Sequence, residues 1–174
     1  GRKDHKDYIK RGTAVENLLV EEGLRRGYIV RPSSEKQNMY DHIDLILTKG
    51  DKKFTVDVKA RRTGTDKSKG FDDLWTVVEF KNTMGDSGWL YSKSDYIAFE
   101  RKEDFVFADT KQLRDMCEKI VDVTKRVASF RNANYKVWGR SYQGKKDLIS
   151  RIEMFKIIEL DKTFIWLKNL DNNK

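Results

Sequence analysis

The stretch "YDHIDLILTKGDKKFTVDVKARR", Tyr40–Arg62, decides how the rest of the chain is read. Two alternating apolar runs flank Gly50-Asp51, a two-residue hairpin signal. With Lys49 facing Lys52, Phe54 falls opposite Leu47, Val56 opposite Leu45 and Val58 opposite Ile43. These apolar side chains share one face, because side chains alternate along a strand. The other face receives His42, Asp44, Thr55, Asp57 and Lys59, with Ile46. Asp44 then lies directly across from Asp57, with Cβ atoms about 4.5–5.5 Å apart. Like charges opposed across a strand pair are destabilising, and burial sharpens the effect.

Outward from the hairpin, "GTAVENLLVEEGLRRG" predicts a helix. Thr13 caps it, Glu16 completes a capping box, and Gly23 or Gly27 ends it. Val15, Leu18, Leu19 and Glu22 lie along one side of that helix. "YIVRP" is a short strand stopped by Pro32, and Ser33–Asn38 is a polar loop. After the hairpin, residues 61–70 form a basic, glycine-punctuated loop. "LWTVVEF" and "SDYIAFE" predict two more strands, and "DFVFADTKQLRDMCEKIV" a strand running into a helix capped by Asp109 or Thr110. The tail from Asp147 is apolar enough to pack, but its period is ambiguous. The pattern predicts one α/β (α+β) domain over residues 1–174, a mixed β-sheet flanked by helices. Its core spans about 11–121, and a basic, aromatic-containing elaboration spans about 122–174.

The 174 residues carry a net charge of +8, and most of the excess is local. Val123–Lys146 has no Asp or Glu but holds Lys125, Arg126, Arg131, Lys136, Arg140, Lys145 and Lys146. Phe130, Tyr135, Trp138 and Tyr142 are interleaved with these cations. Cations track phosphates and aromatic rings stack on unpaired bases, so this segment is a candidate nucleic-acid surface. The alternative is that the rings pack inward and only the cations are exposed. Arg61, Arg62 and Lys67 directly follow the hairpin and are candidate backbone contacts. Trp75, Trp89 and Trp166 sit in apolar contexts and are expected in the core. Cys117 is the single cysteine, which excludes an intrachain disulfide and fits a reducing, intracellular location. No apolar run approaches the roughly 20 residues of a membrane span.

A divalent cation between Asp44 and Asp57 would offset their repulsion, since hard cations such as Mg²⁺ seek oxygen ligands. Lys59, two residues beyond Asp57 on the same face, could then hold a phosphate or activate a water, which is phosphodiester-hydrolysis chemistry. Asp/Glu-x-Lys alone carries no weight, because it occurs six times, ending at Lys6, Lys53, Lys59, Lys81, Lys102 and Lys111. Context singles out Lys59: an apolar opposite face and a second Asp across the turn. Glu79-Phe80-Lys81 is the one serious rival, since it also ends a strand. Glu79 and His42 are therefore additional candidates.

These residues resemble the PD-(D/E)xK nuclease superfamily, the restriction-endonuclease-like fold. Its signature would match Asp44, then Asp57-Val58-Lys59, with Glu16 as an acid from the preceding helix. The resemblance covers roughly Thr13–Arg62. It implies a sheet core flanked by helices and cleavage of nucleic acid with Mg²⁺, for which Mn²⁺ substitutes. It implies metal binding by Asp44, Asp57, the Val58 carbonyl and Glu16, with Lys59 assisting the water. Asp44, Asp57, Lys59 and Glu16 are the catalytic set so implied. Phage-type or recombination-type nucleases are nearest in size. Ile43 rather than Pro precedes Asp44. A basic loop and two strands stand where the family places a helix after the Asp/Glu-x-Lys strand. DNA is the expected substrate ahead of RNA, cut by an endonuclease, and a homodimer would suit double-strand cutting. The rival expectation is an inactive nucleic-acid-binding module of the same fold.

Overall fold

The hairpin folds in the register that its alternation sets: Leu45 pairs with Val56, Leu47 with Phe54 and Lys49 with Lys52. Gly50 turns the chain at φ 57°, a left-handed conformation that glycine adopts without strain. The computed structural model describes residues 2–61, 73–139, 141–142 and 145–169, with side chains described for 13–61, 73–139 and 147–169. In chain order the first elements are α1 (Arg2–Arg25), β1 (Ile29–Pro32), α2 (Glu35–Asp41), β2 (Leu45–Lys49), β3 (Lys52–Lys59), β4 (Trp75–Lys81), β5 (Tyr96–Glu100) and β6 (Asp104–Asp109). Then come α3 (Thr110–Ile120), β7 (Asp122–Arg126), β8 (Lys136–Val137), β9 (Ser141–Tyr142), β10 (Lys145–Lys146), β11 (Leu148–Glu153), α4 (Met154–Ile158) and β12 (Phe164–Leu167).

The fold is a mixed α/β architecture around a six-stranded sheet of order β1-β2-β3-β5-β6-β12. All neighbours in it are antiparallel except β3 and β5, which run parallel. A parallel neighbour needs a crossover, and the chain between β3 and β5 passes through β4, which pairs with β11. The two strands expected after the hairpin therefore divide: β4 leaves the main sheet and β5 joins it. On the second layer β7 pairs with β8, and bridges from Asn134 to Arg151 and from Trp138 to Ile149 lay that pair against β11. The tail's ambiguous period resolves into strand, short helix and strand. Because β12 closes the edge of the main sheet, the elaboration is woven into the core.

Both faces of the sheet are covered. On one, Leu45, Leu47, Val56 and Val58 meet Val15 and Leu19 of α1, with Phe105, Phe107 and Trp166. On the other, Ile97, Phe99 and Val106 meet Leu113 and Cys117 of α3, Val78 and Phe80 of β4, and Ile152 of β11. Complete burial of one such side chain contributes about 1.5–3 kcal/mol. On the charged face of the hairpin Asp57 is buried, whereas His42, Asp44, Thr55 and Lys59 are partly exposed.

Three local expectations change. α1 begins far upstream of Thr13, so Thr13 lies within the helix and cannot cap it. The helix ends at Gly27, φ 87°, where the Tyr28 N–H reaches the Gly23 carbonyl at 3.0 Å and the Gly27 N–H reaches Leu24 at 3.0 Å. Leu18 is exposed, and the buried stripe of α1 runs through Val15, Leu19 and Glu22. Ser33–Asn38 is not a loop throughout, because Ser34 and Gln37 form a capping box that starts α2.

Candidate active site

Asp44 stands just ahead of β2. Its N–H donates to the Val56 carbonyl at 2.9 Å, although Val56 already pairs with Leu45. Two residues of one strand thus oppose one of the other, as in a β-bulge, a device that re-aims side chains. The Asp44 carboxylate is held by two donors: Oδ2 accepts the Val58 N–H at 2.7 Å, and Oδ1 accepts Asn38 Nδ2 at 2.7 Å. Val58 contributes this amide while its side chain points into the α1-side core.

Asp57 lies between Val56 and Val58 on β3 and is 2% exposed. Its Oδ1 sits 3.1 Å from Lys59 Nζ, and its Oδ2 is buried with no hydrogen-bond partner. Burial pushes its pKa from 3.8 up to about 8; Lys59 opposes the shift and the nearby Asp44 carboxylate adds to it. Asp44 lies outside the β2–β3 pairing, which ends at Leu45 with Val56, so the direct Asp44–Asp57 opposition that the alternation predicts is not formed; the Asp44 charge nevertheless reaches Asp57. The Asp44 charge disfavours ionisation of Asp57, and a proton or a cation on Asp57 would relieve that conflict.

Glu16 comes to the same place from α1. It is half-buried, and its pKa is raised by burial first and by Asp44 next, with Lys59 opposing. With Asp44, Asn38 and Met39 it lines an open groove of about 390 Å³. His42 ends α2 in a left-handed conformation, φ 53°. Burial lowers its pKa, Lys59 lowers it further, and Asp44 and Asp41 oppose. The Ser92 hydroxyl lies 3.0 Å from the His42 carbonyl oxygen and 3.3 Å from that of Asp41, and the Lys93 N–H donates to Asp41 at 2.9 Å. The turn that carries His42 toward Asp44 is therefore pinned to the entry of β5. Among the described residues, no three His, Cys, Asp or Glu side chains converge tightly enough to cage a metal unaided.

The remaining candidates are dispersed. Glu79 is on β4, partnered by β11 rather than by the hairpin, and its Oε1 accepts the Trp89 backbone N–H at 3.3 Å. Arg61 turns inward, with Nε 2.8 Å from Asp73 Oδ1. Lys125, Arg126, Arg131 and Lys136 are exposed. Arg62, Lys67 and Arg140 lie outside the described residues, and Lys145 and Lys146 are placed only as backbone of β10. Three of the aromatic rings of the basic segment are engaged within the protein: Phe130 lies 5.8 Å from Trp138, Tyr135 lies 5.9 Å from Trp75, and the Tyr135 hydroxyl donates to Glu153 at 2.8 Å, while the Tyr142 side chain lies outside the described ones. Among the described residues of the segment, that arrangement leaves the cations more exposed than the rings.

Sequence reasoning missed Asn38, Ser92 and Trp89. Asn38 could have been suspected from the Ser34-x-x-Gln37 signal, which makes α2 a helix next to Asp44. Ser92 and Trp89 carry no local signal, because they arrive through the crossover to β5. Comparison with family models, with curated proteins and with solved structures finds no match for the chain.

Proposed function

We propose that the chain is a metal-dependent nuclease that hydrolyses phosphodiester bonds of DNA with a restriction-endonuclease-like core. The observation that carries this is Asp57, a buried carboxylate with one oxygen unpartnered and its ionisation opposed by burial and by the Asp44 charge. Carboxyl groups whose ionisation is opposed by burial and by a neighbouring charge cluster at functional sites. The order α1-β1-β2-β3, with Asp44 just ahead of β2, Asp57-Val58-Lys59 on the adjacent antiparallel β3 and Glu16 on α1, supports the fold reading.

The residues fit a hard divalent cation. Mg²⁺ typically binds one or two carboxylates, keeps several waters and takes the rest of its shell from substrate phosphate. Two converging carboxylates without a third therefore suit Mg²⁺ better than a closed protein cage. Asp44 and Asp57 would hold it, and Glu16, reaching the site by charge, would act through water. Bound there, Mg²⁺ would polarise a phosphoryl oxygen and acidify a water. Asp44 is preorganised by Val58 and Asn38. Lys59, 28% exposed in its side chain, can hydrogen-bond the attacking water and stabilise charge on the phosphate. Lys125, Arg126, Arg131 and Lys136 would hold DNA backbone on the second layer. Endonucleolytic double-strand cutting would require two copies. Cys117, fully buried with its pKa pushed up to about 12 chiefly by burial, suits an intracellular protein that does not rely on disulfides.

The test is incubation with supercoiled plasmid and single-stranded circles in Mg²⁺, Mn²⁺ or EDTA. Cleavage should require metal and vanish in Asp57→Ala and Lys59→Ala. DNA binding without cleavage in any metal would overturn the enzyme reading in favour of a silent nucleic-acid-binding module.

A further inference from the structure

The Lys59 ammonium is held from two sides. Asp57 Oδ1 lies 3.1 Å from Nζ, and the centroid of the Trp89 ring lies 4.8 Å away. Trp89 is itself fixed. It is 9% exposed and meets Phe99 edge-on at 5.9 Å. Its backbone N–H is taken by Glu79 at 3.3 Å, and the preceding Gly88 N–H donates to Phe80 at 2.9 Å. A Cβ at Gly88 would collide with the Glu79 carbonyl oxygen, so a side chain there would lift the Trp89 turn off β4. Glu79, the rival of the hairpin triplet, thus acts in this site by seating Trp89.

The two holds respond differently to a cation. A cation on Asp57 takes up the carboxylate charge, and the pull of Asp57 on Lys59 weakens. The attraction of the indole face for an ammonium does not depend on Asp57. We propose that Trp89 is a positioning residue that keeps the Lys59 ammonium over the site when a divalent cation engages Asp57. Its consequence for cleavage rests on the nuclease reading, whereas the contact itself does not.

The test labels the lysine ε-carbons and assigns Lys59 by its loss in Lys59→Met. Ring shielding should place the Lys59 ε-protons upfield of the other lysines. They should stay upfield when Mg²⁺ is added, lose the shift in Trp89→Leu and keep part of it in Trp89→Phe. In plasmid cleavage, Trp89→Leu should lower kcat about tenfold, the scale of a partly desolvated cation–π contact. KM and the Mg²⁺ dependence should hold, and Trp89→Phe should recover part of kcat. If Trp89→Leu does not fold, Trp89→Phe carries both measurements. Return of the Lys59 protons to the common lysine position on adding Mg²⁺ overturns the proposal, as does a Trp89→Leu variant that folds and keeps the wild-type kcat. If the wild-type protein cleaves nothing in any metal, the nuclease reading fails separately, and the Mg²⁺ titration of the Lys59 protons still decides what Trp89 does.

Discussion

Glu22 and Asp57 are both buried acids, 6% and 2% exposed, and they are treated in opposite ways. Glu22 has every partner it needs. Arg25 at the end of its own helix and Arg26 in the turn that follows bond to Oε1, and the Asn169 N–H reaches Oε2 at 3.0 Å. Burial raises its pKa, but these donors outweigh it and hold the pKa below the usual value. Both arginines also bond the Leu167 carbonyl, so the cluster staples α1 to β12. Asp57 has one lysine, one empty oxygen and a second carboxylate in front of it, and its pKa rises to about 8. The same chain that satisfies one buried acid with three donors leaves another in conflict. A fold selected only for stability would have relieved Asp57, so the conflict points to a bound partner that relieves it.

Asp57→Asn should break the comparison most sharply. An amide at this position can donate to Asp44, so the repulsion ends. Cleavage should fall by roughly 10³-fold or more, the scale of removing one preorganised group at a reacting centre. The metal-free variant should meanwhile be more stable than wild type, by about 2 kcal/mol, since a buried charge conflict is removed. Plasmid nicking and urea unfolding in EDTA read the two effects. An equally active variant, or one less stable, would place Asp57 with Glu22 as a structural acid.

The pH dependence of stability tests the same point without substrate. A folded-state pKa of about 8 against 3.8 means that the folded protein holds a proton that the unfolded chain has released. In EDTA, this contribution is complete below pH 3.8, is lost progressively as pH rises, and is gone above about pH 8. The slope approaches about 1.4 kcal/mol per pH unit for this one group. Calorimetric Tm should therefore fall between pH 6 and pH 8 in EDTA. It should fall much less in Mg²⁺, which binds the ionised form, and much less in Asp57→Asn. Equal slopes with and without Mg²⁺ would show that the cation does not meet Asp57.

How much of this was legible follows from how local each feature is. The hairpin register came from Gly50-Asp51 and a period of two, both contained within Tyr40–Arg62, and with it came Asp44, Asp57 and Lys59. α3 was legible for the same reason, since Asp109 caps it through the Gln112 N–H at 3.0 Å. Glu16 reads as part of a cap because Thr13-x-x-Glu16 satisfies the pattern; the helix simply starts earlier, which removes the bland explanation. α2 was missed although Ser34 and Gln37 announce it, because a helix that buries none of its residues leaves no apolar periodicity. Nothing local reports the second layer that packs on β5 and β6. That layer includes β4 and β11, whose pairing residues stand about seventy positions apart, as in Val78 with Ser150. Trp89 depends on the same long-range closure.

Glu22→Gln sharpens the other side of the comparison, with a smaller effect. The amide retains an oxygen for Arg26 but loses the charge that both guanidiniums face. Arg25, 45% exposed in its side chain, can rehydrate, which limits the loss. A decrease of about 1–2 kcal/mol in unfolding free energy is expected, at the scale of a charged hydrogen-bond network rather than a stranded charge. Cleavage by the folded variant should be unchanged, because Glu22 lies on the β12 side of α1.

The smallest effect on the fold belongs to the exposed cations. Lys125→Ser with Arg126→Ser alters a strand that is exposed along its length. Surface charges of this kind contribute within about 0.5 kcal/mol, so unfolding should not move measurably. DNA binding should weaken, and the slope of log K against log salt should become shallower by about 0.9 for each phosphate that is no longer neutralised. The Mg²⁺-dependent rise in Tm should persist, since neither residue is near Asp57. If the double variant instead removes that rise and leaves the salt slope intact, the basic layer and the carboxylate site are not separate. Charge compensation for Asp57 would then have to be sought among those exposed cations.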